Sequence, residues 1–281
     1  MTDTDQTRRP GPWENLPPAA PAEREIARPQ AGEPPLDKGQ HPVWAVVSTL
    51  LLGGFIWWAS GSWVIAVAAI WGLLVHEYGH VLAMNALGMG PAKIYVIPFL
   101  GGVAKSQRLP VSEWHGVLVS LAGPAFGLLA AIPFFGLYIA TGQGMWLSGV
   151  FIIAIINLVN LAPAPPLDGS KALGPVLALI HPMVEKAAMV AVGVLVIVWG
   201  VTNGSYIFAA FLGLALVGHL RRGAWRPDGR PLTWLEAGRS VGLFLAVAAA
   251  CAGVALSGLM PVAGSLPDAL ALGASYFEFG R

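Results

Sequence analysis

Charge is scarce in this sequence. Asp, Glu, Lys and Arg make up 11% of its 281 residues, where soluble domains carry roughly 25%. Neither sign dominates: the formal net charge of +1 gives no electrostatic footprint for nucleic acid. Cysteine is nearly missing. The single Cys251, in the apolar run VAAACAGVAL, excludes a disulfide framework within the chain and a thiolate zinc site; it reads as a small hydrophobe, buried or lipid-facing. No cleavable signal peptide is visible. What the chain has instead is apolar side chains, 56% of residues, and a mean hydropathy of +0.66. These describe a polytopic membrane protein, whose length does not translate into a count of soluble domains.

Residues 1–42 hold Pro, Glu, Arg, Gln and Asp with few large apolar side chains. Such a segment cannot bury enough surface to fold, so it reads as a disordered cytoplasmic tail, a solvated leader rather than a docking segment. A membrane-crossing helix needs about 20 apolar residues. Candidates lie at roughly 43–59, 63–88, 114–140, 146–162, 186–202, 204–220 and 240–261, separated by turn-type sequences such as Ser60-Gly61-Ser62 and Asn203-Gly204. The fifth and sixth are short, so six to seven spans are expected. With the N-terminal tail in the cytoplasm, every Lys and Arg except Arg281 falls on the cytoplasmic side, as the positive-inside rule requires.

Three stretches break the pattern. Residues 89–113 contain AKIYVIPFLGGVAKS, whose apolar centre, Ile94 to Val103, is too short to cross and carries Pro98 and Gly101-Gly102; a re-entrant or interfacial hairpin is predicted. In NLAPAPPLDGS, residues 160–170, the prolines end the fourth helix, and irregular backbone at membrane depth needs packing in protein or a wet cavity. Residues 221–239 form a basic cytoplasmic loop. The expected organisation is therefore a tail over 1–42, a membrane unit over 43–220, the loop over 221–239, and a last transmembrane helix with a short tail over 240–281.

The chemistry begins at LLVHEYGHVLA, residues 73–83. Ionisable residues inside a membrane segment are expensive and tend to be functional. HEYGH fits H-E-x-x-H: on a helix, His76 and His80 share a face and can converge on one ion, with Glu77 beside them as a general base toward a water there. The motif by itself also fits three polar residues packed against another helix. Counted from Ser62, His76 lies roughly 21 Å into a core of about 30 Å. Two histidines leave the ion short of a protein ligand. His115, His181, His219, Glu113, Glu185 and Asp168 are candidates, and Asp168 stands out because it follows the proline-broken helix end on the same side, with Gly169 next to it freeing the backbone. His41, His115, His181 and His219 sit near span ends as interfacial residues, and Glu113 and Glu185 look like helix-start charges.

Here the chain resembles the site-2 proteases, intramembrane zinc metalloproteases, over roughly residues 43–220. HEYGH looks like their zinc-binding and catalytic motif, VIPFLGGVAK like the membrane-associated β-type hairpin that follows it, SLAGPAFGLLAA like their Gly-Pro helix, and NLAPAPPLDG like N-x-x-P-x-P-x-L-D-G. The resemblance implies one Zn2+ per chain held by His76, His80 and Asp168, with Glu77 as catalytic base and Asn160 matching an Asn that helps hold the substrate or the oxyanion. It implies as partner a membrane-protein substrate with a transmembrane helix that must unwind before attack, such as an anti-sigma factor, a membrane-bound transcription factor or a leftover signal peptide. Two departures stand out: Gly127 where the family often has Asn, and Ser170 where Gly often follows LDG. No PDZ-like insertion or C-terminal regulatory domain is visible, so a compact form is expected.

The expected fold is thus an all-α polytopic membrane protein of about six to seven transmembrane helices with a short membrane-associated β-type hairpin. The expected function is regulated intramembrane proteolysis in a bilayer, with the N-terminus cytoplasmic. The Ala-, Gly-, Pro- and Arg-rich composition points to a bacterial cytoplasmic membrane. The alternative is a non-proteolytic scaffold of the same fold. A transporter is disfavoured, because there is one Pro-broken span and no second copy of HEYGH or PPLDG. Oligomeric state has no signature here.

Overall fold

The computed structural model describes residues 37–98, 101–222 and 229–276. The tail reading falls almost wholly outside these residues, as does the middle of the basic loop.

Helix α1 (Pro42–Ser60) is followed by α2 (Trp63–Ala86), against which it packs. Gly61 ends α1 in a left-handed conformation at φ 66°, the position where glycine meets no Cβ penalty. Ser62 then caps α2 by accepting from the Ile65 N–H. The predicted hairpin follows as β1 (Lys93–Ile97) and β2 (Gly101–Lys105), antiparallel, with Val96 opposite Gly102 and Ile94 opposite Ala104. Next come α3 (Glu113–Gly127), a short 3-10 turn over Leu128–Ala131, and α4 (Ile132–Thr141), which together make one apolar rod. Then α5 (Met145–Asn160) leads through the proline segment to α6 (Asp168–Ile180), α7 (Pro182–Thr202), α8 (Tyr206–Arg222), α9 (Trp234–Ala263) and α10 (Leu266–Ser275).

Among the described residues, five segments are long and apolar enough to cross a membrane: 42–60, 63–86, 113–141, 182–202 and 234–263. Met145–Asn160 and Phe208–Arg221 are shorter apolar helices. These seven coincide with the seven stretches picked out by hydropathy, so the all-α polytopic reading with a small hairpin holds. Two helices, α6 and α10, were not foreseen. The helix α9 opens at Trp234, inside the stretch read as a loop.

The core runs along α5, which packs against α2, α3, α4 and α9. Val64, Ala68, Ala130, Ala131, Phe134, Val150 and Ile153 form one buried cluster. Phe151, Ala154, Ala255, Leu259 and Ala269 form another. A third joins Val117 and Leu121 of α3 to Leu161, Ala172, Leu232 and Cys251. Cys251 is therefore buried rather than lipid-facing, and α9 belongs to the same packing as α3 and α6. Ser240 of α9 reinforces this by donating to the Ala172 carbonyl at 2.8 Å. By contrast α1 keeps Trp44, Leu50, Trp57 and Trp58 exposed, as a lipid-facing helix would.

The hairpin is held from both sides. On the β1 side, the Gln40 side chain behaves like a strand of its own: its amide donates to the Val96 carbonyl at 3.0 Å and accepts from the Val96 N–H at 2.8 Å. A strand edge presents unpaired backbone groups, and here one side chain satisfies a matched pair of them. On the β2 side, Gly101 and Gly102 lie against α2, where Cβ atoms would meet Leu73 and Glu77.

Each hydrogen bond contributes roughly 0.5–1.5 kcal/mol net. Gln40→Ala is therefore expected to speed amide exchange of the 93–97 strand about tenfold, read by hydrogen–deuterium exchange of that peptide, while exchange in α5 stays unchanged.

Candidate metal centre

His76, Glu77 and His80 sit on the inner face of α2, all buried, at 2%, 5% and 7% exposure. Asp168 is the first residue of α6 and equally buried at 6%. The structure brings both imidazoles to this carboxylate. His76 Nε2 lies 3.1 Å from Asp168 Oδ2, His80 Nε2 lies 3.2 Å from the same oxygen, and the two Nε2 atoms are 3.1 Å apart. The rings stand nearly perpendicular, at 85°.

Each imidazole is oriented through its other nitrogen. His80 Nδ1 lies 2.7 Å from the Val119 carbonyl oxygen, which can only accept. His76 Nδ1 lies 2.9 Å from Asn157 Oδ1, and the Asn157 amide N–H donates to the Ile153 carbonyl at 2.7 Å. Both Nδ1 atoms are thus donors, and in neutral rings both Nε2 atoms turn lone pairs toward each other and toward a carboxylate. With both rings neutral, three acceptors converge with no donor among them. Such an arrangement calls for a cation. Divalent zinc lies about 2.0–2.2 Å from nitrogen and oxygen ligands, and a triangle with edges near 3.1 Å accommodates those distances from a point just off its plane. The chain's residues fit the ion. Among the described residues, His76, His80 and Asp168 are the one group of His, Cys, Asp or Glu able to hold a metal.

Glycines set this geometry. A Cβ at Gly79 would run into the Ala122 carbonyl and Phe126, so the α2 and α3 backbones meet directly there. A Cβ at Gly123 would occupy the space of the His80 ring, and one at Gly127 the space of the Asn157 amide. The Gly-Pro helix is therefore a seat cut for groups of the site. Gly169 has a similar job: a Cβ would strike the Leu161 carbonyl. Its role is close approach, which corrects the expectation of backbone freedom.

The segment before Asp168 is a run of turns. Ala164 N–H donates to the Ala162 carbonyl and Leu167 N–H to the Ala164 carbonyl, at 2.7 and 2.8 Å. Ala164 and Leu167 are buried against Leu212, with Val192, Val196 and Phe208 around them. This is irregular backbone packed in protein, as its depth demands. Ser170 in place of the usual Gly returns its hydroxyl to the Leu167 carbonyl at 2.6 Å, closing the first turn of α6.

Glu77 accepts a hydrogen bond from the Ala104 backbone, and its side chain lies where a Cβ on Gly102 would be. Strand β2 thus lines the base. Asn160, at the end of α5, is half-buried and donates to the Ile156 carbonyl at 2.9 Å; among the described residues it makes no hydrogen bond to the cluster. The residue that does is Asn157, which the sequence reading passed over. Its signal was a second amide in the apolar run INLVN.

The other ligand candidates lie elsewhere. His41 and His181 cap α1 and α7, accepting from the Val43 and Met183 N–H groups. Glu113 and Glu185 occupy first helical turns, and Glu113 accepts from the Leu232 N–H at 3.0 Å. His115 follows two residues after Glu113, with its Nδ1 buried and, among the described residues, without a hydrogen-bond partner.

Apolar helices thus bring an H-E-x-x-H pair and a distant Asp to one buried point, an arrangement similar to that of membrane metalloproteases. Residues 64–143 match the family model described as Peptidase family M50, the intramembrane metalloproteases to which the site-2 proteases belong, and this bears out the resemblance read from the motifs. The matched stretch runs from α2 through α4. It includes His76, Glu77 and His80 but ends before Asp168, so the convergence of that carboxylate is an independent observation. No curated protein matches the chain.

Removing Asp168 leaves two imidazoles, too few for a structural or catalytic zinc site. Asp168→Ala purified in detergent is expected to lose nearly all bound zinc by mass spectrometry, while Glu113→Ala and Glu185→Ala keep it; retention by Asp168→Ala sinks the assignment.

Proposed function

We propose that this chain is an intramembrane zinc endopeptidase, with one Zn2+ held by His76, His80 and Asp168 and with Glu77 as its general base. The observation that carries the reading is the convergence of His76 Nε2, His80 Nε2 and Asp168 Oδ2 at 3.1–3.2 Å, with the Glu77 carboxylate next to His76 in the chain. The M50 match over α2 to α4 supports the same reading.

Zinc, when bound, supplies Lewis acidity toward a peptide carbonyl and brings the pKa of water to about 7. The chain does the rest. Glu77 takes the proton of the attacking water and delivers it to the leaving amine. The Ala104 N–H fixes its carboxylate, so the base is held in place before substrate arrives. Asn160 ends α5 on the approach to the proline segment; we assign its amide to the developing oxyanion, where preorganised donors act. The apolar walls keep bulk water away, which strengthens each of these interactions.

The substrate is a membrane protein, cut within or near a transmembrane segment. Helical carbonyls are shielded by their own hydrogen bonds, so the segment must unwind, and Gly or Pro in it favours cleavage. An unwound segment can add to a strand edge. Gln40 occupies the β1 edge at Val96, and β2 runs beside Glu77. The distribution of Lys and Arg supports a cytoplasmic N-terminus, and the composition supports a bacterial cytoplasmic membrane.

The test is Glu77→Gln in proteoliposomes with a Gly- or Pro-containing transmembrane peptide. Cleavage is expected to fall about 10²–10⁴-fold with zinc content unchanged. Cleavage persisting at the wild-type rate sinks the proposal and returns a non-proteolytic scaffold, or another base, to the front.

A further inference from the structure

We infer that Asn157 is a positioning residue for the metal site: it fixes the His76 imidazole and fills the space that Gly127 leaves empty. The inference rests on the zinc reading above. Asn157 is fully buried, and its amide has both ends committed. Oδ1 faces His76 Nδ1 at 2.9 Å and Nδ2 donates to the Ile153 carbonyl at 2.7 Å. The second bond decides the orientation of the amide, because a flipped group would set an oxygen against a carbonyl. With Oδ1 as acceptor, His76 must carry its proton on Nδ1 and present Nε2 toward Asp168.

The two histidines are held by different means. His80 is oriented by a backbone carbonyl, that of Val119, which no side-chain substitution removes. His76 is oriented by a side chain from another helix, eighty-one positions along the chain. The space for that side chain exists because residue 127 has no Cβ: one built there would collide with Asn157 Oδ1, Cγ and Nδ2. The departure at Gly127 thus has a physical counterpart. The volume that a side chain on α3 would fill holds an amide delivered from α5. Groups that orient a metal-bound histidine typically change metal affinity about 10–100-fold when removed.

Zinc affinity of the full chain in detergent, measured by competition with a chromogenic chelator, tests this without a substrate. Three variants are needed: Asn157→Leu, of similar size but with no acceptor; Asn157→Asp, which keeps the acceptor; and the exchange Asn157→Ala with Gly127→Asn, which returns an amide from the other helix. Asn157→Leu is expected to bind zinc about 10–100-fold more weakly, with Asn157→Asp and the exchange within about threefold of wild type. Unchanged affinity in Asn157→Leu overturns the positioning role and leaves the zinc reading standing. Weakened binding in Asn157→Leu that neither Asn157→Asp nor the exchange recovers assigns Asn157 to packing, and also overturns it. A folded wild type that holds no zinc overturns the zinc reading, and this inference with it.

Discussion

Everything in this molecule is arranged around one electrostatic problem: two imidazole nitrogens and a carboxylate oxygen meet within 3.2 Å in an apolar interior. Left to themselves, three acceptors at that distance repel, and the low dielectric magnifies the repulsion. The fold holds them there by satisfying the opposite nitrogen of each ring and by stacking turns under the carboxylate. Buried polar groups are stable when every member of their network is matched, and here the outer nitrogen of each ring is matched, His76 by Asn157 and His80 by Val119.

Support for the site comes from elements that differ in how firmly they are held. The α2–α3 pair is locked by glycines that admit backbone and ring contacts. The Asp168 loop rests on Leu212 and its neighbours in α7 and α8. Glu77 is held by a two-stranded hairpin, an element that is marginal in isolation. Gln40 and the contact with α2 give that hairpin the pairing and cover it lacks alone.

Much of this was legible in the sequence, and the limits of legibility have physical causes. HEYGH could be read because a helix puts residues four apart on one face. The hairpin could be read because its apolar stretch is too short to cross and is broken by Pro98 and Gly101-Gly102. Asp168 was found for its place after a proline-broken helix. The helix that Asp168 opens was not, since Gly169, Gly174 and Pro175 are residue types that disfavour a helix. Yet α6 forms because Ala172 and Gly174 bury against neighbours, which local propensity does not report. Asn157 and Asn160 differ by less than one helical turn, and composition treats them alike. Only the packing of α5 on α2 and α3 separates them, sending the first to His76 and leaving the second half-buried.

The contact at Gly79 has a consequence for dimensions. With no methyl between α2 and the Ala122 carbonyl, the two helices approach as closely as backbones allow. The His80 ring spans that gap, resting on Gly123 and tied to Val119. The position of its Nε2 is therefore a reading of a helix–helix separation, with little contribution from side-chain rotation. The bore of the site is set by a hard stop between two main chains, in the way a gauge block sets a machine tool, and a single added carbon at that stop would reset it.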